Sequence, residues 1–430
     1  MASASLSRAG SDPQGSNTTA TFSVWIKRST LTSDQSFWGG SYYSTDNMFI
    51  LKFSSDDKLQ VYSKRGASVK ASLKTTRQLR DVAAWYHIVV AIDTTQGSAA
   101  DRIKVYINGV QETSFSTNTT PSQNENLYID GGAGTNYYIG QRGGNAEYFD
   151  GQMTHFHYVD GTAYPASTFG EADANGIWKP KTAPSVTYGN KGVFLKFDNS
   201  GNMGLDSSGN SNNFTTSGTV LQTGDTPSNN YVVWELIDRN SSTGVTNFAR
   251  TATNDANAWR TIQAGMPMIG TTGKFYAEGK ATSGTNFYFG VYDPRQARGD
   301  SQALMDSNRL VYNYSGEVVK TLTGESTVTG LTAISAGNII GIAVDKDNGV
   351  IKFYNNGTLI HTATNANITN KDLIFGTQMY GNMTVDWNFG HGFFGTSTLA
   401  SSVTANNGIW EYTPPTGHYA LNTKSMKDNS

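Results

Sequence analysis

Hydrophobic and polar residues alternate with a period of two along the clearest segments of this chain, the pattern of strands with one face buried. Thr21 to Arg28 (TFSVWIKR) sets Phe22, Val24 and Ile26 on one face and Trp25 on the other. Trp85 to Asp93 (WYHIVVAID) is denser in apolar residues and suits a central strand. Arg102 to Val110 (RIKVYINGV) puts Ile103, Val105 and Ile107 on one face and then meets Asn108-Gly109. That dipeptide accepts positive φ and predicts a type I′ hairpin turn, with Val110 onward returning antiparallel. Tyr137 to Gly140 and Met153 to Val159 repeat the alternation, with no helical period between. Short strands at this spacing predict an antiparallel sandwich.

The second half repeats the pattern with different residues. Gly273 to Glu278 (GKFYAE) and Asn286 to Tyr292 (NFYFGVY) read as consecutive strands. Asn338 to Asp345 is a buried strand, Asp347-Asn348-Gly349 turns it into Val350–Tyr354, and Asn355-Asn356-Gly357 turns that into Thr358–Ile360. Turn chemistry alone defines this three-stranded meander. Thr384 to Phe389 is the last strand, with Trp387 in its core, as for Trp25 and Trp85.

The fold class expected is therefore all-β, two antiparallel β-sandwiches. The expected boundaries are 1–185 for the first, 186–230 for a Gly/Asn-rich connector that lends a strand (Gly192–Phe197) back to the first sheet, 231–398 for the second, and 399–430 for an extended C-terminal tail. A length of 430 residues suits two or three domains. Ala174-Asn175-Gly176-Ile177-Trp178 is echoed at Asn406-Asn407-Gly408-Ile409-Trp410, each followed within a few residues by proline. The echo predicts a Trp plug closing each sandwich, after which the chain leaves extended.

Composition narrows the function classes. Charged residues make up 15%, against roughly 25% in ordinary soluble domains; Gly, Ser, Thr and Asn take their place. With a net charge of −2 and no Lys/Arg stripe, a nucleic-acid footprint is not expected. No apolar run reaches the roughly 18–20 residues that span a bilayer, and Met1–Ser11 lacks the apolar segment of a secretory signal. Without cysteine there are no disulfides, thiol nucleophiles or Cys-ligated zinc.

Enzyme chemistry is not expected. Retaining glycoside hydrolysis needs two carboxylates about 5–5.5 Å apart, and the nearest pattern, Glu171-Ala172-Asp173, lies in a Gly/Asn-flanked loop. Asp345 and Asp347 alternate but flank a hairpin turn, where Asp bonds its own backbone. His155 and His157 share a strand face without a third ligand and are read as packing beside Phe156 and Tyr158. Oxygen-rich loops around Asp198 and around Asp206 to Asn210 are weak calcium candidates that Asx-turns explain equally well; no other cofactor is expected. Two loops hold rings with polar neighbours, the arrangement that stacks on sugars or partners. One contains Trp38, Tyr42, Tyr43, Asp46 and Asn47 beside Gly39-Gly40, a binding patch or a closed hydrophobic loop. The other joins Tyr292 and Asp293-Pro294-Arg295-Gln296-Ala297-Arg298 with Tyr312 and Tyr314.

FSVWIKRS (Phe22–Ser29), AWYHIVVAID (Ala84–Asp93), DRIKVYINGVQ (Asp101–Gln111) and DGQMTHFHYVDG from Asp150 resemble concanavalin A-like sandwiches of the laminin G type. GKFYAE, FYFGVYD (Phe287–Asp293) and GNIIGIAVDKDNGVIKFYNNG (Gly337–Gly357) resemble a SPRY-type sandwich. Together with STFGEADANGIWKPK (Ser167–Lys181), DSSGNSNNF (Asp206–Phe214), DTPSNN (Asp225–Asn230) and PPTGHYALNTKS (Pro414–Ser425), the tandem resembles large structural proteins of tailed bacteriophages, notably of the marine and cyanophage type. The resemblance implies a non-enzymatic virion protein on the particle exterior, made in the host cytoplasm and oligomeric there. Its partners would be other virion proteins and host-surface carbohydrate. The alternative it leaves open is a purely architectural fibre, knob or decoration subunit; a depolymerase is disfavoured for want of paired carboxylates. Sandwich sequence begins near Phe22 with no heptads before it, so docking through the domains themselves or the short ends is expected.

Overall fold

The computed structural model describes residues 4–10, 15–41, 47–129, 135–174, 176–236, 243–247, 249–295, 308–394, 398–399 and 403–429. Its regular structure is almost entirely strand, in two compact units, Met1–Gln222 and Thr223–Ser430.

In the first unit the alternation read from the sequence builds two antiparallel sheets. A six-stranded sheet runs Val193–Leu195, Gly151–Asp160, Thr19–Arg28, Tyr86–Asp93, Ile103–Ile107, Val110–Gln111. An eight-stranded sheet runs Phe115–Thr119, Ser68–Gln78, Lys58–Arg65, Met48–Phe53, Gln35–Ser41, Asn136–Ile139, Ser5–Ala9, Thr215–Ser217. Phe22, Val24 and Ile26 face Phe49, Leu51, Val61 and Trp38 in the core between them. The Asn-Gly turn forms as its chemistry requires, with Asn108 at φ 50° and Gly109 at φ 81°, closing Ile107 against Val110.

The second unit pairs two further sheets. The five-stranded one runs Trp259–Gln263, Ile374–Tyr380, Phe287–Tyr292, Arg309–Asn313, Val318–Val319. The larger contains the meander Ile339–Asp345, Val350–Asn355, Thr358–Thr364 beside Lys274–Ser283, Met383–Asn388, Thr251–Asn254 and Thr243–Thr246. Trp387 is fully buried among Phe289 (5.6 Å between centroids), Phe375 (6.0 Å) and Phe389 (5.3 Å), as core. Gly279 has no substitute here: a Cβ would lie 2.7 Å from the Phe289 ring.

Two boundaries differ from the sequence reading. Within 186–230 the strand lent back to the first sheet is Val193–Leu195, paired with Gly151–Asp160; Thr215–Ser217 also pairs, with Ser5–Ser7, and the units divide after Gln222. The tail is not extended. Val403–Ala405 and Gly408–Trp410 form a hairpin, Tyr419–Ala420 pairs in parallel with Phe275–Tyr276, and Thr423–Asn429 is helical. Apolar and amide side chains hold it, since Trp410, Ala420, Leu421 and Asn422 are all fully buried.

Candidate ligand-binding surface

Of the first predicted patch, Tyr42, Tyr43 and Asp46 lie outside the described residues. Trp38 is not a loop residue but the centre of a core strand. It is fully buried, with Phe22 at 5.0 Å, Tyr158 at 5.3 Å, Tyr137 at 5.6 Å and Phe156 at 5.8 Å. The flanking glycines let backbone approach, since a Cβ on Gly39 would sit 2.3 Å from the Arg142 carbonyl oxygen. Asn47 bonds the neighbouring hairpin turn, its Oδ1 accepting the Gly66 N–H at 3.0 Å.

The second predicted patch does not assemble either. Tyr292 and Tyr312 are both buried, on opposite faces of one sheet: Tyr312 packs on Phe353 in the core and its hydroxyl donates to the Thr332 carbonyl. Tyr314 is half-buried against Phe287. Asp293 accepts from the Arg295 backbone N–H, Nε and Nη2, each at 3.0 Å. Burial would push this carboxyl up, but the bonds from Arg295 outweigh it and hold it low. Gln296, Ala297 and Arg298 lie outside the described residues.

Two of the calcium candidates are otherwise engaged. Asp206 Oδ1 accepts the Phe194 and Ser208 N–H groups, and Oδ2 accepts the Asn212 N–H and the Ser208 hydroxyl. Asn210 turns its amide nitrogen, not its oxygen, to the Gly189 and Gly192 carbonyls. Asp198 is exposed, and the described residues contain no cluster of three ligating side chains.

The acidic pairs close turns. Asp173 Oδ1 accepts the Ile177 N–H at 3.0 Å, Asp345 binds Asn348 and Lys274, and Asp347 accepts the Gly273 N–H. One arrangement resembles a nucleophile and base, Ser23 Oγ 2.9 Å from His87 Nε2. The Trp178 indole N–H donates to His87 Nδ1 at 2.8 Å, so Nδ1 carries the lone pair and Nε2 the proton. His87 therefore donates to Ser23 and cannot take its proton.

The structure instead collects rings where the alternation in Phe287–Tyr292 turns Tyr288 away from the core. On the outer face of the five-stranded sheet, Trp259 pairs with Tyr380, Thr261 with Gln378, and Gln378 with Tyr288. The Trp259 ring lies 5.3 Å from both Tyr288 and Tyr380, and all three are half-buried. The Arg309 guanidinium stacks 4.5 Å above Tyr288, and its Nη1 donates to Gln378 Oε1. A cation held on a ring face beside two further rings offers stacking and directed donors together. In the next row Gly376 and Gly290 lie side by side, with Tyr292 over Gly376. The sequence signal for this surface was the period of two itself, which assigns Tyr288 to the face opposite Phe287 and Phe289. That Trp259, Tyr380 and Arg309 meet it depends on strand order.

Residues 4–168 match the family model described as the concanavalin A-like lectin/glucanases superfamily, of laminin G type, and residues 274–392 match the SPRY domain. No curated protein matches the chain. Among solved structures, the SPRY domain of human HERC1 is 18% identical, covering 36% of this chain and 96% of that one with a TM-score of 0.31. The PSpry domain of TRIM65 is 14% identical, covering 36% and 91%, with a TM-score of 0.30. The first unit thus carries a laminin G-like, concanavalin A-like domain and the second a SPRY-like one.

Proposed function

From a laminin G-like sandwich followed by a SPRY domain, we propose a non-enzymatic binding protein of a tailed-bacteriophage virion, displayed on the particle exterior to attach host-envelope carbohydrate. The virion assignment rests on the likeness of the linking segments, such as Ser167–Lys181 and Pro414–Ser425, to phage structural proteins. The observation that carries the binding role is the ring cluster Trp259, Tyr288 and Tyr380 with Arg309 stacked on it. In this reading the protein is made in the host cytoplasm, oligomerises on the particle and docks to other virion proteins through its sandwiches.

Binding of the purified chain to host envelope polysaccharide tests the proposal. Replacing Trp259 and Tyr288 together with Ala is expected to weaken it tenfold or more, since central rings at interfaces contribute about 1–3 kcal/mol each. Circular dichroism checks that the fold is kept. Wild-type affinity in the double variant removes this surface, and release of reducing ends overturns the non-enzymatic role. A second reading, a purely architectural subunit, is favoured by the burial of Trp38, Tyr292 and Tyr312. It predicts no glycan binding at any concentration and a binding partner in the virion.

A further inference from the structure

The outer face of the six-stranded sheet carries a cluster that glycan binding does not use. His87 and His157 lie there beneath residues 164–174 and 176–188, whose Ala166, Phe169, Tyr164, Trp178, Val186 and Tyr188 pack on Val89 and Val159, and His155 lies beside them against Phe194. His157 stacks on Phe194 at 4.0 Å and lies 2.8 Å through Nδ1 from the Tyr188 hydroxyl. His87 stacks on Trp25 at 4.7 Å, with both nitrogens engaged by Trp178 and Ser23. Both rings are enclosed, at 0% and 1% exposure.

A second proton on His87 has one place to go, Nδ1, where the Trp178 indole N–H already points. Donor would then face donor, and the bond that seats Trp178 over Gly109 would be lost. The ionisable groups on the packed elements offer no relief. The packed elements carry Lys27 on the Thr19–Arg28 strand, Lys104 and Tyr106 on Ile103–Ile107, Asp160 on Gly151–Asp160, and Tyr164, Glu171, Asp173, Lys179, Lys181 and Tyr188 in the covering segment. Tyr86 and Asp93 share the His87 strand, and Lys196 and Asp198 act on His155 with opposite signs. Among the described residues no carboxylate hydrogen-bonds to His87 or His157.

We propose that residues 164–174 and 176–188 form an acid-released cover over the first sandwich, with His87 as its latch and His157 as a second titrating group. Burial lowers His87 to about 3 and lowers His157 in the same direction. The closed state refuses protons that the opened state accepts near the ordinary imidazole value. Acid therefore favours opening, by about 25-fold for His87 between pH 7 and pH 5, with His157 adding in the same sense.

Hydrogen–deuterium exchange on the full chain at pH 7 and pH 5, corrected for the intrinsic rate, tests this. The amides of Tyr164, bonded to Thr21 Oγ1, and of Asp160, bonded to the Tyr188 carbonyl, are expected to lose at least tenfold in protection at pH 5, while Leu51 and Val61 in the opposite sheet keep theirs. Glutamine at position 87 (His87→Gln) keeps an acceptor for Trp178 and a donor for Ser23 but does not titrate. It is expected to remove about 25-fold of the response. Equal protection at both pH values, joint loss in both sheets, or a full response in His87→Gln overturns the proposal. Should that variant not fold, an imidazole NMR titration of the wild type decides: a His87 ring titrating near the ordinary value under a protected cover overturns it, and one silent above pH 5 upholds it.

Discussion

Two hairpins built on nearly the same five residues, ANGIW and NNGIW, reach very different burial. In each, residues with positive φ make the turn, Gly176 at 78° in the first and Asn406 and Asn407 at 52° and 60° in the second, and the Trp lies on the outer face of a sheet. Around Trp178 the hairpin's backbone bonds close on the segment itself: Asp173 and Ile177 exchange backbone and side-chain bonds, and Ile177 is left 62% exposed. Around Trp410 the hairpin is built in. The Ile409 N–H donates to Gly390, its carbonyl accepts from Asn388, and Trp410 is fully buried against Tyr276 at 5.0 Å. The buried polar partner also differs. Trp178 rests on a base, His87; beyond Trp410 the next two backbone N–H groups, of Glu411 and Tyr412, donate to an acid, Glu278. Like residues thus close different turns, Ala172 pairing with Trp178 in the first and Ala405 with Gly408 in the second, and the chain that follows decides whether a turn becomes core.

The largest expected effect separates the two tryptophans. Trp410→Ala leaves a cavity in enclosed packing and is expected to cost the second unit about 3–5 kcal/mol, with Trp178→Ala costing the first about half as much. Calorimetric unfolding of each variant checks the ratio, and equal losses would erase the distinction. Glu278→Gln comes next. The carboxylate accepts from the Tyr276 hydroxyl, the Asn388 amide and two backbone N–H groups, so an amide nitrogen in its place faces donors. A loss of about 2–3 kcal/mol is expected, read as faster exchange in 403–429 with the first unit unchanged.

The pH response sharpens the contrast. His87, lowered to about 3, binds its proton only in the unfolded chain across the window from about 6.5 down to 3, so its contribution falls with acid. Between pH 7 and pH 5 it is expected to cost the first unit about 2 kcal/mol, with His157 adding in the same sense. Glu278 runs the other way: burial pushes it up to about 7, so the folded state holds the proton more tightly between about 4.5 and 7 and gains as pH falls. His361 and His418, lowered by burial, oppose it, and the second unit is expected to be flatter over the same range. Two calorimetric transitions that shift together with pH would remove this difference. The smallest effect is at the isoleucines. Ile177→Ser is expected to change stability by under about 0.5 kcal/mol, and Ile409→Ser, facing Gly392, by about 1–2 kcal/mol.

Much of the fold was legible because it is written at short range. Phe22, Val24 and Ile26 declare a buried face within eight residues, and Asn108-Gly109 and Asn356-Gly357 declare hairpins within two. The site was less so. Trp38 beside Gly39-Gly40 has loop composition, yet the glycines admit a neighbouring backbone and the ring fills the core. Tyr292 and Tyr312 looked like neighbours on one patch, but their strands pair so that the two rings take opposite faces. The His155–His157 pair was read on one strand face. The strand bulges between Thr154 and His157, yet both rings meet Phe194, at 6.2 Å and 4.0 Å, away from the inner-facing Phe156 and Tyr158.

Residue order and elementary stereochemistry were thus enough for the all-β class, the two sandwiches and most of their turns, since alternation and positive-φ preferences act between neighbours. Strand order, which side chains share a face across strands, and the different burial of two like hairpins were decided by packing between residues far apart in the chain. Glu278 and Tyr412, or Trp259 and Tyr288, carry no mark of one another in sequence. Only the closed sheets bring them within bonding distance.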